Sequence, residues 1–182
     1  DRPAAMFGVA GLAYRHLEGS SVPIDEILGA LQDQVAAGKI RWIGLSNETA
    51  WGTMTFLHHA TAKGLPRVQS IQNAYNLINR IFEIDLAEVA HRENVGLLAY
   101  SPLGQGYLSG KYQHGASPPG SRKALFNRLQ RYEKPQTEPA IDRYLAIAKR
   151  FDLDPAQMAL QFVTTRPFVT SNIIGATTME QL

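Results

Sequence analysis

The 182-residue chain contains no cysteine. That excludes disulfides, thiolate metal sites and a cysteine nucleophile, and it suits a cytoplasmic protein. No apolar run approaches the roughly 20 residues that cross a bilayer, so no membrane role is expected. No run of Lys or Arg occurs, and the formal net charge of +2 is small with both signs interspersed. A nucleic-acid partner is therefore not expected. The opening "DRPAAMFGVAG" lacks an initiator Met and lacks the charged and apolar regions of a signal peptide. Both ends read as cut from something longer. The histidines, His16, His58, His59, His91 and His114, show neither metal-site spacing nor a nucleophile–His–acid set, so no metal is expected.

What is present is ordinary globular composition, 45% hydrophobic and 19% charged residues, enough for the core of one domain or a large piece of one, and 1–182 shows no sign of a second domain. After an irregular stretch over 1–22, helix and strand patterns alternate. "PIDEILGALQDQVAAGK" has Pro23, Asp25 and Glu26 at its start, Ile27, Leu28, Leu31 and Val35 on one face, and Gly38 as its stop. A strand over 40–46 follows. "TAWGTMTFLHHATAKG" is a helix with Trp51, Met54 and Leu57 aligned, "RVQSIQNAY" a strand, "FEIDLAEVAHREN" a helix with Phe82, Leu86, Val89 and Ala90 aligned, and "VGLLAYS" a strand. Ile43, Ser70 and Leu97 recur every 27 residues, the length of a βα unit. Residues 102–139, with Gly104, Gly106, Gly110 and Gly115, read as a long mobile loop. Two further helices are predicted, the first with Ile141, Tyr144, Leu145, Ala148 and Phe151 on one face. The second is capped by Asp154, with Pro155 and Gln157 behind it. The final strand is "NIIG" (172–175).

Four strands alternating with helices imply a parallel α/β sheet, either a doubly wound sheet or half of a (β/α)₈ barrel. The barrel is favoured. Polar residues follow each strand: Ser46-Asn47, Gln72-Asn73, Tyr100-Ser101 and Thr177-Thr178. A barrel gathers its site on that rim. The G-x-G-x-x-G of a doubly wound nucleotide fold is absent, since "GQGYLSG" has the wrong spacing.

The rim residues point to distinct chemistries. Ser46 and Asn47 can bond an amide in both directions, or merely cap the next helix. Gln72, in an otherwise apolar strand, needs a partner, either a ligand or the backbone. Asn73, Tyr75, Asn76, Asn79 and Arg80 extend that polar patch. Tyr100 offers a flat face. The glycines beyond it, with Lys111 and Arg122, suit an anion. "IIGATTMEQL" offers N–H groups and hydroxyls at a helix start, which suits phosphate or simple capping.

Four motifs in order, "GKIRWIGLSN", "IQNAYNLINR", "AYSPLGQGYLSGKY" and "IIGATTMEQL", closely resemble the aldo-keto reductase superfamily. "NETAWG", "DPAQMALQFV" and "GATTMEQL" are most similar to its Tas-like subgroup, related to the potassium-channel β-subunits. The resemblance runs from about Gly38 to Leu182. It implies a (β/α)₈ TIM barrel, here roughly strands 5–8, binding NADP(H) without a Rossmann motif. By resemblance, Ser46, Asn47 and Gln72 hold the nicotinamide carboxamide and Tyr100 stacks on its ring. Ser101, Leu103, Lys111 and Arg122 lie along the pyrophosphate, the last after a one-residue gap. Gly175, Thr177 and Gln181 surround the 2′-phosphate.

The family's reaction also needs an Asp, a Tyr proton donor, a Lys and a His. The resemblance puts all four on earlier strands, with the His just before the segment that opens here at "DRP". No catalytic residue is therefore assigned. The intact parent is expected to be an NADP(H)-dependent oxidoreductase reducing an aldehyde or ketone, and the 182 residues alone to be inert. Two other readings stay open. One is a non-catalytic, channel-β-like nucleotide-binding module. The other is a phosphate-binding aldolase, against which the lack of a rim Lys counts.

Overall fold

Cap chemistry sets the helices of the chain. The computed structural model describes residues 22–127, 129, 131–176 and 178–179. Thr177 and Gln181 lie outside them. Helix α1 (Ile24–Ala36) follows Pro23 and carries Asp25 and Glu26 in its first turn, against the positive end of the dipole. It buries Ile24 and Leu28, while Ile27, Leu31 and Val35 are half-buried. Helix α2 (Ala50–Lys63) is capped by Thr49, whose hydroxyl accepts the Gly52 N–H at 3.1 Å. It stops at Gly64, φ +64°. Its buried face is Thr53, Phe56, Leu57 and Ala60, not the expected Trp51–Met54–Leu57 line. Trp51 is 69% exposed. The Trp51 line meets His58 and Thr61 a turn further on, whereas the Thr53 line stays apolar to its end. Helix α3 (Leu86–Glu93) starts later than expected, because Phe82 sits in a separate 3₁₀ turn (Ile81–Glu83) and Asp85 caps the helix.

Strands β1 (Ile43–Ser46), β2 (Val68–Ala74), β3 (Gly96–Tyr100) and β4 (Val169–Ile173) form a parallel four-stranded sheet in the order β1-β2-β3-β4. Strand β1 starts later than expected, at Ile43. A doubly wound sheet reverses its strand order at a switch point, and this order contains no reversal. Sequential order with helical crossovers is consistent with part of a (β/α) barrel. Ser70 lies opposite Gly44, and a register irregularity at Ile43 and Gly44 shifts the expected 27-residue match of Ile43 with Ser70 by one place. Ser46 lies directly across from Gln72.

The described residues fall into two compact units. The first holds residues up to Asn73 plus Phe82–Leu98, and the second holds Ala74–Ile81 and residues from Ala99 onward. In the first, Leu28, Leu45, Phe56, Ile71 and Leu97 are buried, each contributing roughly 1.5–3 kcal/mol.

The second unit corrects the loop reading of 102–139. Residues Gly104–Ser109 and Gln113–Gly115 wind into 3₁₀ turns. Tyr107, Leu108 and Tyr112 join Leu129, Tyr132, Ile141 and Ala159 in one apolar cluster. The glycines serve sharp turns in a packed segment. Burial and the neighbouring Glu133 carboxylate push the Tyr107 hydroxyl up to about 12, so it stays protonated. Helix α4 (Arg122–Phe126) starts at the Ser121 cap. Helix α5 (Thr137–Arg150) buries Ile141 and Ala148, while Phe151, past its end, is exposed. Helix α6 (Pro155–Thr164) has the expected cap, with Asp154 accepting the Gln157 N–H at 2.8 Å. Strand β4 starts three residues before the expected "NIIG", at the β-branched Val169 that follows the Arg166 turn.

Candidate functional site

In the first unit, Ser46 and Gln72 lie side by side at the carboxyl ends of β1 and β2, a hydroxyl and a carboxamide able to bond an amide. Ser46 is buried, and its hydroxyl accepts only a long 3.4 Å bond from the Asn47 amide. Asn47 has φ +56°, a conformation Asn tolerates, and its N–H bonds the Gln72 carbonyl at 3.0 Å. The helix cap is supplied by Thr49, so neither Ser46 nor Asn47 is needed for it. Half-buried Gln72 makes no side-chain hydrogen bond among the described residues, which removes its purely structural reading. Asn73 donates to the Glu48 carbonyl at 3.2 Å, yet its own Oδ1 is buried without a partner. A buried unpaired acceptor costs about 1–3 kcal/mol, but Asn73 follows Gln72 in β2 and so projects from the opposite face of the sheet. A primary carboxamide offers two donors and an acceptor and suits Ser46 and Gln72.

In the second unit, Tyr100 ends β3. The Arg131 guanidinium lies 5.3 Å from its ring centroid and donates to its hydroxyl at 2.9 Å. A flat ligand stacking on Tyr100 must use the other face or displace Arg131. Ser101 follows with φ +55°. Its carbonyl is held by the Asn76 amide at 2.8 Å and by the Gly104 N–H at 2.9 Å. Leu103 packs against the apolar cluster. Gly106 has φ +101°, and a Cβ there would lie 2.8 Å from Lys111 Cε. The lysine stem thus crosses the turn where only glycine leaves room. The Lys111 ammonium lies 5.3 Å from the Tyr112 ring centroid. The side chains of Lys111 and Arg122 have no acidic partner among the described residues. Unpaired cations beside a glycine turn suit an anion.

Other predicted residues fare differently. Gly175 is exposed, and a Cβ there would meet nothing, so its conformation does not demand glycine. Of the polar patch expected at Asn73, Tyr75, Asn76, Asn79 and Arg80, Arg80 is exposed and Asn73 and Asn79 are half-buried, but the other two are in the core. Tyr75 and Asn76 are each 0% exposed. Tyr75 stacks on Phe162 at 5.8 Å and meets Phe168 edge-on at 5.3 Å. Among the described residues, β1, β2 and β3 end in or run directly into polar residues, whereas β4 ends at Ile173 and is followed by Ile174. Thr178 lies beyond the end of β4 and is exposed. Four residues were missed as site elements: buried Glu48, Gln105 with its unpartnered Oε1, Lys123 and Arg131. The glycines flanking Gln105 in "PLGQGYLSG" were the available signal for its positive φ.

Residues 9–182 match the Aldo/keto reductase family. The chain is 52% identical over 181 residues to Protein tas of Escherichia coli, covering 100% of this chain and 52% of that protein. It is 38% identical over 172 residues to an aldo-keto reductase of Babesia bovis, covering 91% and 60%. It is 31% identical over 173 residues to a potassium-channel beta subunit-like protein of Schizosaccharomyces pombe, covering 92% and 50%. The chain spans about half the length of the curated relatives it matches.

Proposed function

Because this chain belongs to the aldo/keto reductase family, we propose that the full protein is a cytoplasmic oxidoreductase that reduces an aldehyde or ketone with NADPH. The observation that carries this is the pairing of Ser46 with Gln72 at the ends of β1 and β2, where the half-buried glutamine side chain makes no hydrogen bond among the described residues. NADPH, when bound, supplies a hydride from its nicotinamide ring. The residues of this chain bind and orient. Ser46, Asn47 and Gln72 hold the carboxamide and so fix the ring's rotation. Tyr100 supplies an aromatic face that selects which side of the ring is presented. Ser101 and Leu103 shape the backbone turn, and Lys111 and Arg122 neutralise the pyrophosphate. Gly175, Thr177 and Gln181 are assigned to the 2′-phosphate by resemblance alone. In this reading β1–β4 are roughly the last four strands of the barrel.

Orientation matters because a misplaced ring loses the near-attack geometry on which transfer depends. Proton donation to the nascent alkoxide is assigned to residues outside this chain, so the 182 residues by themselves should not turn over. The test is NADPH oxidation by the full protein against a panel of aromatic and aliphatic aldehydes. We expect aldehyde-dependent loss of nicotinamide absorbance, cut at least tenfold in kcat/KM by Gln72→Leu. NADPH binding with no turnover on any carbonyl would instead favour the nucleotide-sensing module, the reading that similarity to a channel beta subunit-like protein supports.

A further inference from the structure

A second lysine shares the ring that carries Lys111. The Lys123 ammonium lies 5.8 Å from the Tyr112 ring centroid and that of Lys111 lies 5.3 Å from it. The two nitrogens can be no farther apart than those two distances end to end. At that upper bound the repulsion is already largely screened, the Debye length being about 8–10 Å, and any closer approach leaves the two ammonium groups repelling. Attraction to one aromatic ring offsets this only in part. Neither side chain has an acidic partner among the described residues, and adjacent Arg122 has none either. Tyr112 is 2% exposed, and its hydroxyl is buried without a hydrogen-bond partner. The described residues therefore hold two cations without an acidic partner at the Tyr112 ring, whose buried hydroxyl is also unpaired, with Arg122 adjacent to Lys123 in sequence.

We propose that Lys123 is a direct anion-binding residue, completing with Lys111 a two-lysine clamp on the diphosphate of the cofactor, with Tyr112 as the ring that keeps both stems in place. The proposal deepens the NADPH reading and rests on it for the identity of the ligand. The anion itself is argued from the unpaired charges. A cation that touches the diphosphate lowers Kd and steepens its salt dependence, whereas one that only braces Tyr112 alters stability and leaves the salt dependence alone.

The full protein should be titrated with NADPH at several salt concentrations, and its thermal midpoint followed with inorganic pyrophosphate. For Lys123→Gln we expect a Kd raised about fivefold and a flatter salt dependence. Lys123→Arg should restore both, and Lys134→Gln should match the wild type. Pyrophosphate should raise the wild-type midpoint and leave that of Lys123→Gln nearly unmoved. If Lys123→Gln binds NADPH and pyrophosphate as the wild type does, the clamp is wrong while the reductase reading stands. If pyrophosphate stabilises in a Lys123-dependent way but NADPH does not bind, the clamp stands and the dinucleotide reading falls. If neither ligand binds the wild type, both are overturned.

Discussion

Asn76→Ala should destabilise the full protein by about 3 kcal/mol, measured by urea unfolding at constant m. Asn76 is fully buried and makes three side-chain bonds, two of them to distant segments and one to its own turn. Its amide donates to the Ser101 carbonyl at 2.8 Å and to the Tyr132 hydroxyl at 2.9 Å, while its Oδ1 accepts the Ile78 N–H at 3.0 Å. Alanine leaves a void and strands the Ile78 N–H. Asn76→Asp discriminates further. A carboxylate can still accept from Ile78 but places an oxygen against the Ser101 carbonyl, where an amide had donated. We expect it to be at least as costly as alanine at neutral pH and milder in acid, where the carboxyl is protonated and can donate again. A loss under 1 kcal/mol for both variants would show that Ser101 is not held in place by this residue. Ser101 sits immediately after Tyr100, so the same lesion should also weaken cofactor binding.

Gly106→Ala should damage both stability and binding. At φ +101° any L-residue is strained by about 1–3 kcal/mol. Its Cβ would also fall 2.8 Å from Lys111 Cε and 3.2 Å from Tyr112 Cε2. The lysine is flexible and will swing away, while the buried tyrosine cannot. Gly115→Ala is the control, because Gly115 has φ +78° but open space around its missing Cβ. Both variants should lose stability. Only Gly106→Ala should weaken NADPH binding, by roughly tenfold, because only it dislodges Lys111. Equal affinities in the two variants would separate Lys111 from the cofactor.

These two positions show where the amino-acid order could be read and where it could not. The alternation of elements, the parallel sheet and the Asp154 cap follow from local rules: periodicity, N-cap chemistry and glycine stops. Ser46, Gln72 and Tyr100 stood out as candidates because a polar or aromatic residue closing an apolar strand has few structural excuses. Asn76 was not, since Asn in "NAYNLINR" looks like turn chemistry until Tyr132, 56 residues away, arrives to bond it. The same holds for Tyr112. Glycines on either side suggested a mobile loop, but contacts from Leu129, Ile141 and Ala159 bury the segment. Trp51 misled for a third reason. Its size suggested the core, yet the phase of the Thr53–Ala60 stripe turns it outward. Lys123 stayed hidden because a lysine beside an arginine carries no local signal, and only its approach to the Tyr112 ring sets it apart.

The central claim is that the strand-end amides and the glycine-turn cations of this chain bind a nicotinamide dinucleotide phosphate. A crystal structure of the full protein soaked with NADP⁺ tests it most directly. The account predicts the carboxamide within about 3 Å of the Ser46, Asn47 or Gln72 side chains, the nicotinamide ring against Tyr100, and diphosphate oxygens on Lys111. A dinucleotide bound elsewhere, with Gln72 still unbonded and Arg131 still against the Tyr100 ring, would contradict it.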